Sequence, residues 1–92
     1  MTAETVEVLK RLRNASTLAF QNARVVGAWV WVEFDSIPAT ETRDTLKSLG
    51  FHWNKNRQAW QHPCGRHSGP TNGNPKWKYG VVNAQDLETA IA

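Results

Sequence analysis

Apolar residues at positions 6, 9 and 12 give residues 3–13 the three- and four-residue spacing of a single helix face. Thr2 or Thr5 can cap its start, and Glu4 and Glu7 precede Lys10, Arg11 and Arg13, the charge order that a helix dipole favours. A helix of about three turns is marginal in water and must dock to persist. Between Ser16 and Val26 two patterns compete: Leu18, Phe20 and Val26 fit a strand, and a continuation of the helix to Phe20 fits as well. Gly27-Ala28 predicts a tight turn into Trp29-Val30-Trp31-Val32-Glu33-Phe34, whose alternation is that of a strand. Val30, Val32 and Phe34 share one face, and Trp29, Trp31 and Glu33 the other. Because a carboxylate suits a sealed core poorly, the first set is expected inward, leaving two indoles outward or under a second layer.

Pro38 to Leu49 predicts a second helix, with Thr42, Leu46 and Leu49 facing the sheet and Gly50 closing it. Phe51 to Trp53 and Gln58 to Gln61 then form a hairpin around the polar turn Asn54 to Arg57. Pairing Trp53 with Gln58 and Phe51 with Trp60 puts 51, 53, 58 and 60 on one face, with Trp53 and Trp60 expected in the core. Residues 63–75 are rich in Gly, Pro and Asn and predict a flexible loop. Lys76 to Val82 is expected to return as an edge strand, and residues 83 or 84 to 91 as a final short helix. These elements predict an α+β fold: one domain over residues 1–92, with helices packed on a mainly antiparallel sheet of three or four strands in the order helix, strand, strand, helix, strand, strand.

Composition sharpens this picture. A chain of 92 residues buries a modest share of its surface, and five Trp, three Phe and one Tyr supply the large side chains that a small core needs. The lone Cys64 excludes an intrachain disulfide; with no charged-then-apolar leader at Met1, a reducing, cytoplasmic location is expected. No apolar run approaches the ~20 residues of a membrane span, so no membrane partner is expected. The net charge of +3 is unevenly placed. Residues 51–80 carry Lys55, Arg57, Arg66, Lys76 and Lys78 with no acid, whereas residues 25–50 carry four acids and two bases. The basic half is also an aromatic half, which points to an anionic partner, nucleic acid first, or simply to a solvated basic surface.

Catalytic constellations are weak. His62, Cys64 and His67 give at most three zinc ligands where structural sites use four, so no metal or other cofactor is expected. A Cys64 nucleophile lacks a third, orienting group, and Asp35, Glu41 and Asp44 are accounted for as caps and dipole partners. An enzyme is therefore not expected. The candidate site is instead a nucleic-acid-binding surface of Trp29, Trp31, Lys55, Arg57, Lys76, Trp77 and Lys78, where bases stack on indoles and cations follow phosphates. The alternative is a protein-interaction module, an inhibitor or adaptor, docking through Trp29 and Trp31, with a homodimer as one form.

Gly27-Ala28-Trp29-Val30-Trp31-Val32, the run from Thr42 to Gly50, and Phe51-His52-Trp53 through Ala59-Trp60 together resemble a small module of bacterial and mobile-element proteins. Its pattern is a G-x-W-x-W-V strand, a helix ending L-K-x-x-G-F, and a W-x-x-x-x-x-A-W hairpin. The likeness covers residues 27–62. Such modules often follow J-domain-like segments in phage-type proteins, and a similar motif accompanies plasmid primase and helicase chains. The resemblance implies a setting rather than an activity: an accessory module of a phage, plasmid or integrated element. Two departures matter. No His-Pro-Asp signature precedes the module in these residues, so a chaperone-partner role is not implied. The family's Trp-Tyr-Trp after the alanine is replaced by Trp60-Gln61-His62, which removes two aromatics.

Overall fold

The computed structural model of the protein describes residues 1–66 and 74–91. The first helix, α1 (Ala3–Ala15), starts at Thr2, whose hydroxyl accepts from the Thr5 N–H at 3.1 Å. Thr5 in turn donates to the Ala28 carbonyl at 2.6 Å, tying the helix start to the first hairpin turn. Ser16 settles the ambiguous stretch. Its backbone N–H closes α1 on Leu12 O while its hydroxyl caps a new helix, α2 (Thr17–Gln21), through the Ala19 N–H. One residue thus stops one helix and starts the next, and only Ala23–Val26 remain as strand β1.

β1 turns into β2 (Trp29–Val32) through Gly27-Ala28, with Val26 opposite Trp29. Gly27 lies at φ +64°, as a two-residue hairpin turn with glycine first requires. Helix α3 (Thr40–Ser48) is shorter at its N-terminus than expected. It ends with Gly50 at φ +92°, the Gly50 N–H on Lys47 O and the Phe51 N–H on Leu46 O, a Schellman closure that sends the chain directly into the second hairpin.

That hairpin, β3 (His52–Asn54) and β4 (Ala59–His62), pairs Trp53 with Trp60 and Asn54 with Ala59, two residues away from the expected register. The turn decides it. Asn54 Oδ1 accepts from the Arg57 N–H, and Gln58 takes the left-handed conformation, so the four-residue loop is 55–58 instead of the expected 54–57. A slip of two preserves which side chains share a face, and the alternation holds while the partners change.

The expected edge strand at 76–82 is instead a short helix, α4 (Pro75–Tyr79), capped by Asn74, followed by strand β5 (Val81–Asn83). Proline near the helix start and Gly80 at its end explain the break. A 3-10 turn (Ala84–Leu87) and helix α5 (Glu88–Ile91) follow. The flexible-loop expectation for 63–75 falls largely on residues 67–73, outside the described residues.

The fold is α+β, with a five-stranded antiparallel sheet in the order β3-β4-β2-β1-β5. The three inner strands, β4, β2 and β1, bury most. On one face Val25, Val30, Val32 and Trp60 pack against Leu9, Leu12, Phe20 and Ile91 from the helices, with Leu46 and Phe51 beside them. On the other, Val26, Trp31 and Ala59 form a smaller cluster against which Trp29 packs. No helix among the described residues is long and apolar enough to cross a membrane.

Candidate nucleic-acid interface

The indoles divide differently from the sequence expectation. Trp60 is 6% exposed, as expected of a core residue, but Trp53, directly opposite on the edge strand, is 49% exposed. The expectation of a core Trp53 is corrected: β3 is the last strand of the sheet, so its indole is covered only from the β4 side, where the two rings meet at 5.6 Å and 55°. Trp31 does lie on the face away from the main core, but at 3% exposure it is under a second layer and not open to solvent. Trp29 is partly buried, and its indole N–H donates to the Arg66 carbonyl.

α4 supplies part of that second layer. The Lys76 ammonium sits 5.5 Å from the Trp31 ring centroid and 2.8 and 2.9 Å from the two Glu33 carboxylate oxygens. Glu33 therefore lies on the outer face, as expected, with its charge met by Lys76. Trp77 is 90% exposed, and Lys78 lies over the Tyr79 ring at 5.3 Å. Lys55 and Arg57 stand in the β3–β4 turn, at a different part of the sheet from α4. The seven sequence-derived candidates are thus spread over two regions.

One of these regions contains a cavity of about 620 Å³. Trp53 and Trp60 line it from the hairpin, Gln58 from the turn, Arg43 and Lys47 from α3, and Phe34, Asp35 and Ile37 from the segment that links β2 to α3. Arg43 and Lys47 are four residues apart and share a helix face. The Arg43 guanidinium donates through Nη2 to Thr40 Oγ1 at 3.0 Å, while its buried Nε has no hydrogen-bond partner among the described residues. Gln58 donates its amide to Lys55 O at 2.7 Å. Comparison of the chain with family models, with curated proteins and with solved structures returns no match. The site must therefore be read from its own chemistry.

Sequence reasoning missed Arg43, Lys47, Asp35 and Gln58 as site residues. The available signal was the i, i+4 spacing of two cations on a predicted helix that closes directly into a tryptophan hairpin.

The His-Cys segment is inward-facing. Cys64 is buried in the main core, and burial pushes its thiol pKa up, with a Thr5 hydrogen bond partly opposing, the reverse of what an activated nucleophile requires. His62 Nδ1 accepts from the Cys64 backbone N–H at 2.9 Å. Burial, and then the nearby His52, hold the His62 imidazole below its ordinary pKa. His67 lies outside the described residues.

Proposed function

We propose that this protein is a non-enzymatic nucleic-acid-binding accessory protein of a phage, plasmid or integrated element, binding through the groove between the β3–β4 hairpin and α3. The observation that carries the reading is the half-exposed Trp53 in a groove with Arg43 and Lys47, beside a turn that also bears Lys55 and Arg57. Aromatic faces for bases and cations for phosphates are the two components of single-strand binding surfaces. The resemblance of residues 27–62 to modules of mobile-element proteins supports the setting. The inward-facing Cys64 and His62 supply no nucleophile and base for an enzymatic reading.

Tryptophan fluorescence titration with single-stranded and duplex oligonucleotides at two salt concentrations tests this. Binding is expected to quench fluorescence and to weaken with salt in proportion to the phosphates neutralised. Absence of quenching at low salt, or quenching indifferent to salt, counts against it.

A second reading, a protein-interaction module, draws on a different surface: the exposed Trp77, Tyr79, Val81 and Val82 around α4 and β5. It moves the docking face away from the covered Trp31. Concentration-dependent mass in sedimentation, lost in Trp77→Glu, is the expected result for self-association; an invariant monomer mass removes the homodimer form.

A further inference from the structure

Resting on the nucleic-acid reading, we infer that the groove takes one unpaired nucleotide of a single strand, with preference for a base that carries an exocyclic amino group. Three features lead there. First, the aromatic contact is available only to an unstacked base. The Trp53 and Trp60 rings already touch, at 5.6 Å and 55°, and form a corner into which nothing intercalates. A base can lie on the exposed side of Trp53, but in a duplex both faces of every internal base are covered by its neighbours, so only an unpaired base can occupy that position. A cavity of about 620 Å³ is the size of a small-ligand site, sufficient for a single nucleotide.

Second, charge orients the nucleotide. Arg43 and Lys47 line the α3 wall, and Asp35 is the one acid among the described residues that line the groove. Phosphate is attracted to Arg43 and Lys47 and repelled by Asp35, which places the base edge toward the β2–α3 segment and Gln58, while the adjoining phosphates of the strand run past the basic turn that holds Lys55.

Third, that edge meets acceptors. Asp35 is an acceptor when ionised, and Gln58, which gives one amide hydrogen to Lys55 O, has Oε1 to accept. Two acceptors favour bases that donate from an exocyclic amino group, as cytosine does from N4, adenine from N6 and guanine from N2, over thymine, which has none and presents O4.

The test is anisotropy of labelled dodecamers of deoxycytidine, deoxyadenosine and deoxythymidine, and of a mixed-sequence duplex, against the full chain at low salt. Single strands are expected to bind at least about tenfold tighter than the duplex, and the cytidine and adenosine strands several-fold tighter than the thymidine strand. Trp53→Ala is expected to weaken the single strands by about 5- to 150-fold, the range for loss of one stacked base, with Trp53→Phe restoring much of it. Asp35→Asn is expected to narrow the cytidine-to-thymidine ratio. Circular dichroism of each variant confirms that it is folded. Equal affinity for duplex and single strand, or unchanged binding by folded Trp53→Ala, overturns the inference while leaving nucleic-acid binding in place. Deoxycytidine monophosphate binding as tightly as the strand overturns the assignment to a strand. No binding of any oligonucleotide defeats the underlying reading as well.

Discussion

Indoles and cations occur together on both faces of the sheet, in opposite states. Under α4, Trp31 is covered, and the cation nearest to it, Lys76, also holds both oxygens of Glu33. In the hairpin groove, Trp53 is half open, and neither Arg43 nor Lys47 forms an ion pair among the described residues. The contact of Trp31, Lys76 and Glu33 is satisfied within the chain, although Trp77 on the outer side of α4 is exposed. The groove leaves half of the Trp53 indole exposed and its two α3 cations without an ion pair among the described residues, and that difference separates a packing element from a candidate ligand site.

The sharpest test of the contrast lies within the groove itself. Trp60→Ala should cost about 3–5 kcal/mol by urea unfolding, the range for a large aromatic removed from a core. Trp53→Ala should cost about 1 kcal/mol, mainly the loss of the ring pair. Similar losses for both would mean that Trp53 belongs to the core and that the groove is not open. Gly50→Ala comes next, because Gly50 joins the α3 wall to the hairpin wall. A methyl group there is strained at φ +92° and stands 3.0 Å from His62 Nε2, so destabilisation of about 1–2 kcal/mol is expected in the same assay. On the α4 side, Glu33→Gln removes an ion pair whose partners are 29–30% exposed; about 0.5–1 kcal/mol should be lost, diminishing in high salt.

His62 gives the smallest effect, and one that depends on pH. Its imidazole is held below the ordinary value chiefly by burial, so on acidification the unfolded chain takes up this proton before the folded one does. Its contribution is complete above the ordinary imidazole pKa of about 6.5 and declines as pH falls through and below it. Urea midpoints measured from neutral pH to pH ~5 should fall more in the wild type than in His62→Gln. Parallel falls would assign the acid sensitivity to other groups.

Much of the framework was legible in the residues. Alternation from Trp29 to Phe34 assigned the faces of β2, with Val30 and Val32 fully buried in the main cluster and Glu33 on the other side. The spacing of Leu9 and Leu12 marked the buried face of α1, and Leu46 that of α3. Gly50 before Phe51 marked the junction between helix and hairpin. The candidate site was less legible. The sequence-based set joined Trp29, Trp31, Lys76, Trp77 and Lys78 to Lys55 and Arg57, although the fold divides them between α4 and the hairpin turn.

What the chain determines by itself is local: periodicity, caps and turn chemistry depend on neighbours within a few positions, and these assign helices, strands and faces. Whether an indole on a given face is covered depends on elements far along the chain, which only the tertiary structure decides. Trp31 is covered because α4, more than 40 residues later, brings Lys76 across it, consistent with the separation of 43 between Lys76 and Glu33. Trp53 stays open because the sheet ends at its strand, so no further strand flanks it.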